Sequence, residues 1–142
     1  MAFTDLPADW PALPITRHDL LCNVLDLVVS DHARATGSLC LLICDPADRL
    51  VAPMEISHLR DADAGADRAA LLATVVDAVA DIEPQAGVLA AIGRPGGLSA
   101  TQEDREWADA LAAATAGRVR LLGVHVVTAD GSRPVPTDRR AA

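Results

Sequence analysis

The sequence contains no lysine, and all 12 of its basic residues are arginine. That excludes Schiff-base chemistry and a P-loop lysine. Aromatic residues make up only 2% of a chain that is 51% hydrophobic, so the core must be built from Leu, Val, Ile and Ala. Positive charge is scarce: 12 cations against 20 anions give a net charge of -8. Sequence-independent binding to DNA or RNA is therefore not expected, because it depends on Arg and Lys neutralising phosphates. Adhesion to an anionic membrane surface is disfavoured for the same reason, and Arg139 with Arg140 are too few for a basic tail. No apolar run approaches the roughly 20 residues that span a bilayer, and no charged segment followed by an apolar one suggests a secretory signal. The three cysteines, Cys22, Cys40 and Cys44, are odd in number and sit in apolar settings. Reduced, buried thiols in a cytoplasmic protein are the expectation.

What is present reads as one domain, since 142 residues suffice for a single core and no repeat or internal linker divides them. Residues 1–15, with Pro7, Pro11, Pro14, Phe3 and Trp10, read as an extended lead-in pinned by its aromatics. Residues 16–136 form the domain and 137–142 a tail. Thr16 followed by Asp19 resembles a capping box. It opens a helix with an i, i+4 stripe (Leu20, Leu21, Val24, Leu25, Val28, Val29) running to about Ala35 and ended by Gly37. Ser38–Cys44 is a short apolar run and reads as a central strand, with Arg49–Ile56 as hairpin partner across the Asp45-Pro46-Ala47-Asp48 turn. Pro53 puts that partner at a sheet edge. After a polar loop, His58–Ala66, Asp67 is expected to cap a helix carrying Leu71, Leu72, Val75, Val76 and Val79 and ending before Pro84.

Gly87–Ile92 reads as a third strand buried on both faces, Gly93–Ala100 as a loop, and Thr101–Ala116 as a third helix with Trp107 and Leu111 inward. Trp107 is expected to meet Leu111 and strand residues such as Val88 or Leu122. Arg118–Thr128 is the fourth strand, and beyond an Asp130-Gly131 turn Ser132–Pro136 adds a short edge strand. The order α-β-β-α-β-α-β implies an α/β fold: a single-domain mixed sheet of four to five strands with helices on its faces.

The stretch 88–128 carries a resemblance. Its strand, Pro-Gly-Gly loop, amphipathic helix and Leu-Gly strand resemble the core of the JAB/MPN metal-dependent hydrolases, RadC-like proteins in particular. In that family the strand runs into His-x-His-Pro-Ser-Gly, a Ser-x-x-Asp opens the helix, and a leucine-glycine strand continues into an aspartate-histidine pair. Here Pro95 and Gly97 match the Pro and Gly. Thr101 and Asp104 match the Ser and Asp allowing a one-residue deletion, and Leu121-Leu122-Gly123-Val124 then His125 match the last strand. The resemblance implies the family's fold over roughly residues 17–130. It also implies a zinc held by two imidazoles and one carboxylate, with a Glu as general base. At the three ligand positions this chain has Ile92, Arg94 and Asp104. Ile cannot ligate, Arg is never deprotonated in a protein, and a guanidinium nearby opposes cation binding. The resemblance thus points to the fold without its hydrolase chemistry, with no metal and no cofactor.

Other groupings are weaker. Cys40 and Cys44, four apart on a strand, share a face about 13 Å apart and cannot share a metal. Glu55, His58 and His125 have no ligand spacing, and Asp61–Asp67 lacks the regular alternation and closing Glu of a calcium loop. The remaining candidate ligand site is the loop Gly93–Gly97. Its glycines permit close backbone approach, the following helix N-terminus favours anions, and Arg94 is suited to a bidentate contact with carboxylate or phosphate. Glu103 and Asp104, however, already satisfy that helix's dipole. The residues to watch are Arg94, Gly96, Gly97, Thr101, Asp104 and His125, the last flanked by Val124 and Val126 and expected to face the core. Two functions follow. One is a non-catalytic, metal-free JAB-like domain for protein–protein interaction or self-association, as a homodimer. The other is a small-anion-binding sensor or enzyme using the Arg94 loop.

Overall fold

Ser38–Cys44 and Gly87–Gly93 lack the polar alternation of a half-exposed strand, the pattern of strands covered on both faces. All seven residues of each are buried. They form β1 (Ser38–Cys44) and β3 (Gly87–Gly93), antiparallel neighbours with Leu41 opposite Ala90. The computed structural model describes residues 8–57 and 65–136. Around the central pair lie β2 (Leu50–Ser57), β4 (Arg120–Thr128) and β5 (Gly131–Pro134), in the sheet order β2-β1-β3-β4-β5. The helices are α1 (His18–Val28), α2 (Asp31–Thr36), α3 (Gly65–Ile82) and α4 (Gln102–Thr115). The α/β class and the mixed five-stranded sheet are those expected from the sequence. No described helix is long and apolar enough to cross a membrane.

Alternation along the strands divides the interior into two layers. Leu39, Leu41, Ile43, Val88, Ala90 and Ile92 meet α3 through Leu72, Val75 and Val79, and α4 through Trp107 and Leu111. Cys40, Leu42, Cys44, Leu89 and Ala91 meet Leu20, Val24 and Leu25 of α1, with Val29 and Ala33. Each Leu, Ile or Val so buried contributes about 1.5–3 kcal/mol, so these two layers carry most of the favourable free energy. β2 is an edge strand with Pro53 opposite Leu42, where a residue without an N–H is tolerated. β5 forms the other edge, antiparallel to β4. β3 and β4 are parallel, joined through α4, and their register shifts at Val88/Leu89 so that Leu89 lies opposite Gly123. As a result Leu121 and Val124, three residues apart, both pack on the first layer, with Leu122 on the second. Trp107 therefore shares its layer with Val88 and Leu111, whereas Leu122 packs on the opposite one.

Several helix boundaries differ from the sequence reading. The first helix is not continuous to Ala35: it stops at Val28, Val29 is extended, and Ser30 caps a new helix by accepting a 3.0 Å hydrogen bond from the Ala33 N–H. The break lets Val29 and Ala33 both reach the core while the chain turns. Gly37, at φ 86°, closes the second piece with its N–H on the Ala33 carbonyl. Arg17, rather than Thr16, occupies the N-cap position of α1, so no capping box forms there. Asp67 lies inside α3, which begins at Gly65, and its cap position falls outside the described residues. Trp10–Ala12 is a short 3-10 turn rather than extended. Trp10 packs on the second layer, Pro14 bridges to Arg49, and Ile15 is fully buried. Phe3 lies outside the described residues.

Candidate functional site

β3 delivers the chain to Arg94, whose N–H is still held by the Val127 carbonyl of β4 at 3.1 Å. The turn that follows needs Gly96 at φ +97°, a conformation that residues with a Cβ rarely adopt. The chain then reaches Thr101, the N-cap of α4. Thr101 and Asp104 form a complete capping box: the hydroxyl accepts from the Asp104 N–H at 3.1 Å, and the carboxylate accepts from the Thr101 N–H at 2.9 Å. The Thr-x-x-Asp pattern has a structural explanation of its own.

The same carboxylate receives Arg94. Arg94 Nε donates to Asp104 Oδ1 at 3.0 Å and Oδ2 at 3.2 Å, and Nη2 donates to Oδ2 at 2.8 Å. The guanidinium also holds the loop, with Nη1 donating to the Pro95 and Gly97 carbonyls at 3.0 and 2.9 Å, and Nη2 to the Ser99 carbonyl at 3.0 Å. A guanidinium has five N–H groups, and all five are committed within the loop and its capping residue. The pair is largely buried, with side-chain exposure of 15% for Arg94 and 2% for Asp104. Burial raises the Asp104 pKa, but the Arg94 hydrogen bonds, the Thr101 N–H and the Arg94 charge outweigh it and hold the carboxyl below its ordinary range.

Of the six residues singled out in the sequence, Arg94, Gly96, Gly97, Thr101 and Asp104 therefore come together. His125 does not. Its strand neighbours Val124 and Val126 enter the layer beneath α3 and α4, and Val127 enters the other. His125 shares the parity of Val127, so it lies on the far face of the sheet from Asp104. It is half-buried, and burial lowers its pKa. Ile92 is in the same layer as Trp107. The three positions that the resemblance would align with metal ligands, Ile92, Arg94 and Asp104, are thus on one side of the sheet, but they supply one carboxylate, one alkyl group and one cation. They do not fit a zinc ion, which needs three lone-pair donors.

The remaining groupings are separated by the fold. Glu55, Cys40, Ala91 and His125 form one row across four strands. At about 4.8 Å per strand step, Glu55 and His125 are too far apart to share a ligand. His58 and residues 61–64 lie outside the described residues. Among the described residues no group of three or more His, Cys, Asp or Glu could hold a metal ion. Cys40 and Cys44 are buried on one face of β1, as their spacing requires. Burial and the Glu55 charge push the Cys40 thiol up to about 11, and burial with the Asp48 and Asp45 charges pushes Cys44 up to about 12. Cys22 is exposed, contrary to the expectation of a buried thiol, because it falls off the apolar stripe of α1. A thiol reagent at pH 7 should accordingly modify one cysteine per native chain and three after unfolding. Three fast-reacting thiols in the native protein would contradict this packing.

Two arginine contacts had no signal in the sequence. Arg68 of α3 lies 4.7 Å over the Trp107 ring. Arg34 of α2 donates to the Asp26 carbonyl and carboxylate at 3.3 and 3.1 Å, and to the Thr128 carbonyl at 3.3 Å. Each links residues far apart in the chain or across the helix break, so no local pattern announces it. No family model matches the chain, and neither a curated protein nor a solved structure matches it.

Proposed function

We propose that this chain is a non-catalytic, metal-free domain of JAB-like type that acts through protein–protein contact, including self-association. The observation that carries this reading is the Arg94–Asp104 pair. Where the resembled family holds a metal cation between side chains, this chain has an internal cation. Arg94 neutralises Asp104 and ties down the Pro95, Gly97 and Ser99 carbonyls. A second positive charge at that place would be repelled, and the carboxylate has no need of one. Self-association is supported by the sheet edges. Among the described residues β2 and β5 each have one neighbour only, and unpaired edges are ready-made pairing surfaces. Val51 on β2 adds apolar exposure of 48%.

The anion-binding alternative has less behind it. A carboxylate or phosphate at the Gly93–Gly97 loop would have to displace bonds that Arg94 already makes, since no guanidinium N–H is spare. Titration with inorganic phosphate and small carboxylates should give no saturable binding. Saturable binding abolished by Arg94→Ala would favour the alternative.

Two measurements test the leading reading. Light scattering at micromolar concentration is expected to give a homodimer, and a mass equal to the 14.8 kDa chain alone would remove self-association from the proposal. Elemental analysis of protein purified without chelator should find well under one zinc per chain, with stability unchanged by chelator. One tightly held zinc, lost on substituting Asp104, would restore the hydrolase reading.

A further inference from the structure

We draw no further inference here: the strongest candidate, the cleft of about 300 Å³ between α1, α2 and the β4–β5 turn lined by Cys22, Asp26, Arg34, Asp130 and Ser132, offers a lone thiol and two carboxylates beside an arginine already bonded to Asp26 and the Thr128 carbonyl, and nothing in the structure points to what would fill it.

Discussion

Arg94→Ala is expected to cost about 3–5 kcal/mol of stability, the usual penalty for removing one partner of a buried ion pair. The total for a small domain is about 5–15 kcal/mol, so this variant should be close to the threshold of folding. The size follows from what is left behind. Asp104, with its side chain 2% exposed, would keep only the Thr101 N–H and its place in the capping box, and three loop carbonyls would lose their donor. The double variant Arg94→Ala/Asp104→Ala should be less damaged than the sum of the single variants, because the orphaned charge is gone.

The pH dependence has a definite sign. In the native protein the Asp104 pKa is depressed, so its contribution is fully present above the unfolded value of about 3.9 and is lost as pH falls through the folded value. Without Arg94 the buried carboxyl would hold its proton more tightly. The stability gap between wild type and Arg94→Ala should therefore narrow on acidification. Urea unfolding at pH 7 and pH 4 would measure both effects. A loss below 1 kcal/mol at pH 7 would mean that the pair is not a structural latch.

Trp107→Ala carries an expected cost of similar size, about 3–5 kcal/mol for a large aromatic removed from a core. Trp107 is 1% exposed at the junction of α3, α4 and the sheet, in a protein with only 2% aromatic residues. Its removal also takes away the ring beneath Arg68, whose side chain is 11% exposed and whose Nε is buried without a hydrogen-bond partner. Trp107→Phe should recover part of the loss by restoring an aromatic face. Thermal melts followed by circular dichroism would decide, and an unchanged Tm for Trp107→Ala would place the energetic centre of the core elsewhere.

The strands were legible because their burial is written into composition. Ser38–Cys44 and Gly87–Gly93 are apolar at every position but the flanking Ser and Gly, and only central strands tolerate that. Pro53 and the short last strand located the edges. The helix break at Val29 was legible in principle, since Ser30-Asp31 is an N-cap signal. It was masked because the apolar spacing continues through it and both helices pack on the same layer. The site was half legible. Gly96, Thr101 and Asp104 are local devices, a turn and a cap, and local devices leave local patterns. That Arg94 directs every donor inward, and that His125 faces away from Asp104, depends on the loop path and on the register shift at Leu89 of β3. Neither property belongs to any short stretch of sequence.

The Arg94–Asp104 pair also acts as a ratchet on what this fold can become. On the proposed JAB-like reading, a path from this loop to a metal-binding one would have to replace both Ile92 and Arg94 with ligating side chains. Losing Arg94 first strands a buried anion, and changing Ile92 first puts a polar group at a position 3% exposed within the apolar layer. Each first step costs stability, so under that reading no single substitution at these two positions leads toward a metal site without a loss of folding free energy.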